Sequence, residues 1–411
     1  MLAAAFALAF LPAGCTDDEP PSLSLSVPEP TPDPDPDPEP EPEPDPDPDP
    51  EPDPGPVPDP TNDPDYESTD YSADGEVVVL QRASEGRGID IVLMGDAYTD
   101  RMVANGVYMH KMRQAAEAFF SEEPYRSFRR LFNVYAVKAV SPHEVIADGR
   151  TTALGVSFGE GTLIFGDHSA VAAYAQCVPE LCGDADRLDE LTVVVIVNQI
   201  RWAGTCHPWG PFSVADGTVL EGDYGRGFAI TYSTCLDEED LIYTVVHEAS
   251  GHGFAKLADE YYDYESEEYI PDNERTSEIW YQQFGYWRNV DFSGDAAQCA
   301  WARYLNDPRY AGCDVGYYEG GDYYARGVWR SSWQSLMLYT EGGFNPISRE
   351  TIYRRIHKLA YGDGWEFDYE TFAAFDAPNR RRTAARVLRP QPADRPPLSA
   401  PQWLDRTRPL L

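Results

Sequence analysis

Seven consecutive residues, Leu191-Thr192-Val193-Val194-Val195-Ile196-Val197, are apolar or β-branched and show no polar alternation. A run of that kind is a strand buried in a sheet, with both of its faces covered. Residues 76–81, 89–94 and 131–137 read as further strands, and residues 100–121 have helical spacing. Strands alternating with helices imply an α/β layered domain.

The two ends of the chain read differently. Residues 1–14, MLAAAFALAFLPAG, are almost wholly apolar, too short to span a bilayer and right for the core of a signal peptide. Ala13-Gly14 before Cys15 resembles the lipobox of bacterial lipoproteins, which implies a lipid on Cys15. Asp17-Asp18-Glu19 resembles the signal that sends some lipoproteins to the outer face of the cell. The start lacks Lys and Arg, and Pro12 stands where an aliphatic residue is commoner, so an ordinary cleaved leader with a chance cysteine is the alternative.

From Pro20 to about Asp65 the chain is largely a Pro-Asp/Pro-Glu alternation, which itself offers no apolar residues to bury. Residues 15–75 are therefore expected to be a disordered, semi-rigid acidic stalk of polyproline II character. Residues 17–70 contain 20 Asp or Glu and no Lys or Arg, about half of the net charge of −38. The acidity thus says little about the substrate, but without a basic face the chain is not a nucleic-acid binder. A catalytic domain is expected over 76–375. Residues 376–411, rich in arginine and proline and lacking apolar periodicity in the last part, are expected to be a flexible tail.

Of the seven cysteines, six follow Cys15, an even number for a chain that looks exported. Proximity pairs Cys177 with Cys182 and Cys299 with Cys313, and elimination leaves Cys206 with Cys235. No Cys-x-x-Cys spacing supports a cysteine metal site.

His247-Glu248-Ala249-Ser250-Gly251-His252 is the segment with chemistry in it. Residues 234–240 offer capping side chains and acids for the positive end of a helix, which should run from about Asp237 to Lys256. On such a helix, histidines four apart lie about 40° apart around the axis and can share a zinc ion; five apart they lie about 140° apart. Two readings compete: unrelated histidines, or one extra residue absorbed as a π-bulge that Gly251 makes cheap. The His-Glu-x-x-Gly-His form is similar to the motif of the dipeptidyl peptidase III family, where such an insertion still gives a zinc site.

The longer stretch from Val245 to Tyr261, ending Leu257-Ala258-Asp259-Glu260-Tyr261, resembles the active-site segment of the bacterial IgA-peptidase family of zinc metallopeptidases. Ser335-Leu336-Met337-Leu338-Tyr339 resembles the Met-turn of the metzincin clan, to which that family is assigned. Phe344-Asn345-Pro346-Ile347-Ser348-Arg349, Ile352-Tyr353, and Ile91 through Thr99 continue the likeness, which spans roughly residues 76–365. The resemblance implies a metzincin-like zinc peptidase domain with a mixed twisted sheet, an active-site helix and a Met-turn, following the stalk.

It further implies that His247 and His252 are zinc ligands and that Glu248 is the general base acting on water. Asp259 is implied as third ligand, with Glu260 as runner-up and His143, His168, His207 and His357 as remoter candidates. Met337 would form the apolar floor of the site, and Tyr339 would steady the oxyanion. The expected activity is that of an endopeptidase on protein or peptide substrates, with one catalytic Zn2+, in a monomer held to the membrane only by the lipid anchor. The family's founding activity is cleavage of immunoglobulin A, but specificity does not travel with a zinc motif. The strand Val193 to Val197 is placed at the cleft edge, where an extended substrate could pair. The acids of residues 259–268 with Asp272 could favour basic substrates or bind a structural Ca2+. Two other functions remain open: a non-catalytic surface binding lipoprotein on a peptidase fold, and a zinc amidase acting on cell-wall peptides.

Overall fold

The structure, a computed structural model, describes residues 62–209, 227–234, 237–338, 343–380 and 395–404. The expected leader, Cys15, the acidic run up to residue 61, Cys235 and Tyr339 lie outside the described residues. Along the chain come β1 (Val77–Gln81), β2 (Ile89–Asp96), α1 (Asp100–Ala104), α2 (Val107–Phe119), α3 (Tyr125–Phe128) and β3 (Phe132–Val137). The short β4 (Ser157–Phe158) and β5 (Ile164–Phe165) precede α4 (His168–Ala175), α5 (Ala185–Asp189), β6 (Thr192–Val197), β7 (Gly204–Pro208) and β8 (Ala229–Thr234). Next is α6 (Glu238–Val245), which passes without interruption into a π-helix (Val246–Phe254). The remainder holds α7 (Asp272–Gln282), β9 (Val290–Asp291), α8 (Ala302–Leu305), β10 (Tyr318–Gly321), β11 (Tyr324–Arg330), α9 (Pro346–Tyr361) and α10 (Tyr369–Asp376).

The main sheet has the order β1-β3-β2-β6-β8-β7. Its four inner strands run parallel, and each edge strand runs antiparallel to its neighbour. Side chains alternate between two cores, as the pleat requires. Ile91, Leu93, Val194 and Ile196 face the cluster that takes in α2 and the π-helix. Val92, Met94, Val193 and Val195 face the cluster that takes in α4 and α5. This mixed α/β architecture, with helices on both faces of the sheet, agrees with the reading of the apolar runs. One placement changes: β6 lies between β2 and β8, so Val193 to Val197 cannot form a cleft edge. The sheet edge on the β8 side is β7, whose Gly and Pro give it no apolar signature.

Other expectations shift as well. The helix expected over residues 100–121 breaks at Asn105-Gly106 into α1 and α2. Ordered packing begins before residue 76: Ser68 donates from Oγ to Ser141 O at 2.7 Å, and the Asp100 carboxylate accepts from the Thr69 and Asp70 amides. At the other end, residues 395–404 pack onto the domain, with Leu398 only 1% exposed. The Cys177–Cys182 and Cys299–Cys313 bridges are not formed; all five described cysteines are thiols. Closeness in sequence does not aim the sulfurs: Cys177 Sγ turns onto Ala173 O and Cys299 Sγ onto Ala296 O, carbonyls of their own turns. Among the described residues no helix is long and apolar enough to cross a membrane.

Candidate metal centre

The site begins with the cap of α6. Asp237 Oδ1 accepts the Asp240 amide at 2.8 Å, and Glu238, Glu239 and Asp240 add negative charge to the first turn. From Val246 the hydrogen bonding loosens to the π pattern, seen at its end as Ala255 N donating to Ser250 O at 3.2 Å. Ser250 O also accepts from Tyr125 Oη at 2.5 Å, a second donor from α3 that favours the displaced carbonyl. A turn closed at i to i+5 brings residues five apart onto one face, as residues four apart are on an α-helix, which is what His247 and His252 require.

Gly251 serves this arrangement by leaving space. A Cβ there would stand 2.6 Å from Met337 Sδ, so the methionine, which packs directly on the helix backbone, would have to move. After Phe254 the chain turns back through Lys256, whose left-handed backbone (φ 56°) is fixed by two bonds. Trp287 N donates to Lys256 O at 2.8 Å, and Lys256 Nζ donates to Gly227 O at 2.9 Å. The reversal returns Asp259 to the histidines.

There three atoms converge. His247 Nε2 and His252 Nε2 lie 3.0 and 3.2 Å from Asp259 Oδ1, and 3.1 Å from each other. Ligands of a tetrahedral zinc at bond lengths of about 2.0–2.1 Å stand about 3.3 Å apart, so this triangle has the size of one face of such a site. His252 Nδ1 faces Leu257 O at 2.6 Å, and His247 Nδ1 faces Leu336 O at 3.4 Å and Tyr243 Oη at 3.3 Å. A carbonyl at Nδ1 holds the proton there and leaves the Nε2 lone pair pointing inward. Tyr323 Oη reaches the other carboxylate oxygen, Asp259 Oδ2, at 2.9 Å.

The electrostatics agree with a cation site. Burial opposes a charge on His252, yet the Asp259 carboxylate lifts its pKa to about 9. Burial likewise works against the Asp259 charge, but the two rings hold its pKa below the ordinary carboxylate value. Burial lowers the pKa of His247, against the pull of Asp259. The pocket therefore favours one positive charge at the point where the three atoms meet. Among the described residues no other group of three His, Cys, Asp or Glu side chains converges this way.

Glu248 stands beside the trio, fully buried, with no side-chain hydrogen-bond partner among the described residues and only the Cys206 backbone on β7 acting as a weak donor toward its carboxylate. Burial pushes its pKa well above the usual value, and the Asp259 charge adds to this. A buried carboxylate so poorly paired costs stability, which marks it as a group kept for its chemistry. Its room comes from β7: a Cβ on Gly204 would lie 2.9 Å from Glu248 Oε1.

Glu260 points elsewhere. Its Oε1 accepts from Asn289 and Asn345 at 2.9 Å each, and its Oε2 accepts from Ser335 Oγ at 2.7 Å. With Glu260 N donating to Met337 O at 2.8 Å, it ties the methionine turn to the helix exit instead of facing the trio. The remoter histidines are also elsewhere. His168 and His207 meet on the opposite face of the sheet with ring centroids 4.7 Å apart. His143 Nδ1 pairs with Thr151, and His357 sits among Phe128, Tyr353 and Trp365.

Ile91 through Thr99 has a structural role in the fold: Asp96 accepts from Ser141, Thr152 and the amides of Leu154 and Val156, pinning the following loop. The acids after Asp259 form no second metal group. Glu267 pairs with Arg326 at 2.6 Å and Asp263 accepts the Glu265 amide, and no three of these described acids converge as the atoms of the trio do. Reasoning from sequence also missed Tyr323, and it assigned no role to Tyr261, whose hydroxyl is 3.3 Å from His247 Nε2. Only the placement of Tyr261 directly after Asp259-Glu260 hinted at it.

Three ligand-type atoms meeting at one point beside a buried carboxylate describe the centre of a metal-dependent hydrolase. The family model for IgA Peptidase M64 matches residues 78–309, more than half of the chain, and the chain belongs to this peptidase family. The match covers the trio and Glu248 and ends before Met337. No curated protein matches the chain.

Proposed function

We propose that the chain is a zinc-dependent endopeptidase of metzincin type in which His247, His252 and Asp259 hold the metal and Glu248 is the general base. The observation that carries the reading is the triangle of ligand atoms with edges of 3.0, 3.1 and 3.2 Å. When bound, zinc would polarise the scissile carbonyl and the attacking water. Glu248 takes the proton of that water and delivers it to the departing amide nitrogen, so no covalent intermediate with the protein is needed. The bare backbone of Gly204 lets the Glu248 carboxylate approach β7, the edge along which a substrate strand would lie. Met337 closes the floor against Gly251, and Tyr339 donates to the developing oxyanion. We further place the domain outside the cell, as a monomer carried on an acidic stalk from a lipidated Cys15.

The test is metal analysis of the purified protein together with a Glu248→Gln comparison on an unfolded protein substrate. One zinc per chain is expected, with a loss of about 10²–10⁴ in kcat for the variant and unchanged zinc content. A protein without zinc, or equal cleavage by the variant, overturns the reading.

A further inference from the structure

The candidate centre is closed off in this structure. His247 and Glu248 are 0% exposed and Asp259 is 1% exposed, although a peptidase must admit a polypeptide to these groups. Part of the cover is the chain's own residues 395–404. The Leu398 carbonyl accepts from Tyr261 Oη at 3.0 Å and from Tyr323 Oη at 2.8 Å, the same two hydroxyls that reach His247 and Asp259. Leu398 itself is buried in the apolar cluster that contains Trp202, Leu336 and Met337.

From there the segment follows β7. Gln402 N donates to Cys206 O at 2.8 Å and Leu404 N to Pro208 O at 3.0 Å. Both residue numbers rise together, so the segment adds itself to the sheet edge in the same sense as β7. An edge strand with outward carbonyls is a template for such addition, and its contacts are blind to sequence because they use main-chain atoms. The other end is held by a side chain. The Arg395 guanidinium lies 2.9 Å from Asp240 Oδ1, in a cleft of ≈ 540 Å³ that also meets Glu122, Glu238, Glu239 and Tyr243. Tyr243 is the residue whose hydroxyl faces His247 Nδ1, so this cleft adjoins the trio.

We propose that the groove between β7 and the metal trio is a binding site for an extended peptide, and that residues 395–404 are its intramolecular occupant, an inhibitory segment that must leave before substrate can enter. This rests on the peptidase reading for its consequence, though not for the docking itself. A tethered occupant present nine-tenths of the time lowers the apparent affinity for any competing peptide about tenfold.

The experiment uses the full chain carrying Arg395→Glu and Gln402→Pro, which removes the guanidinium and one backbone donor without touching the trio. Hydrolysis of a labelled unfolded protein is expected to rise about tenfold in kcat/KM over the unaltered chain, with equal zinc content. A synthetic peptide of residues 395–404 added to this variant should bind, read by fluorescence anisotropy, and restore inhibition; the same peptide with Arg395→Glu should bind about tenfold more weakly. A chain ending at residue 394 provides a second route if the double variant misfolds, circular dichroism reporting the fold of each. Equal hydrolysis by the unaltered and opened proteins, both folded and zinc-loaded, overturns the proposal, as does a peptide that does not bind the opened form. If no form holds zinc or cleaves, the peptidase reading fails, and the anisotropy alone decides whether the groove takes the segment.

Discussion

Two pairs of histidines lie on opposite faces of the same sheet and have opposite chemistry. His247 and His252 turn their Nε2 atoms to within 3.1 Å of each other because Asp259 stands between them and carbonyls hold their Nδ1 sides. His168 and His207 bring their rings as close, with centroids 4.7 Å apart in both pairs, but no carboxylate joins them. His207 Nε2 instead faces the Ile164 carbonyl at 2.8 Å, and His168 Nε2 is buried with no partner. Histidine proximity is thus not what makes the candidate centre. An anion at the meeting point and a second layer that fixes each tautomer do.

The most direct way to break the comparison is to remove the anion. Asp259→Ala should lower zinc affinity by more than about 100-fold, beyond the tenfold to hundredfold typical of an outer-layer partner. His207→Gln should leave zinc content unchanged. Chelator competition on the two purified variants measures both. Zinc retained by Asp259→Ala, or lost from His207→Gln, would reverse the assignment of the two pairs.

The same contrast explains what could be read from sequence. β6 was visible as an unbroken apolar run, and the sequel Asp259-Glu260-Tyr261 marked the third candidate ligand, because these depend on side-chain type along one stretch of chain. The π-helix was legible as a need, since His247 and His252 are one residue too far apart for an α-helix. Its means were not: the Tyr125 hydroxyl on Ser250 O comes from 125 residues away. Gly251 pointed to the right place for a different reason, since what it supplies is room for Met337 Sδ. β7 and residues 395–404 escaped because they act through backbone carbonyls and amides, which every sequence has. Tyr261 and Tyr323 are two among 26 tyrosines, and only their position distinguishes them. The Cys177–Cys182 and Cys299–Cys313 pairings failed because closeness in sequence does not fix where each sulfur points.

A smaller change tests the second layer alone. Tyr323→Phe keeps the ring and deletes the hydroxyl that reaches Asp259 Oδ2 at 2.9 Å, so zinc affinity should fall about tenfold with the ligands intact. The same deletion removes one of the two donors to the Leu398 carbonyl. An affinity equal to that of the unaltered protein would show that Asp259 is oriented without its hydroxyl partner.

The remaining effect concerns the pair without an anion, and it appears in stability and not in zinc binding. Burial, then the neighbouring His168, lowers the pKa of His207 to about 4, only partly offset by the Ile164 carbonyl. The groups facing it are His168 on α4, itself lowered by burial, and Tyr232 on β8, raised by burial. In the unfolded chain the His207 imidazole takes up a proton near pH 6.5, whereas the folded ring stays neutral until about pH 4. The unfolded state therefore binds the extra proton in that window, and the contribution of a neutral His207, complete above pH 6.5, is lost as the pH falls toward 4. Between pH 7 and pH 5 this amounts to about 2 kcal/mol. Urea unfolding at the two pH values should show the unaltered protein losing about 2 kcal/mol more than His207→Gln. Equal losses would mean that the His207 ring is already charged in the fold, held so by a carboxylate nearer to it than Asp167, which acts on His168.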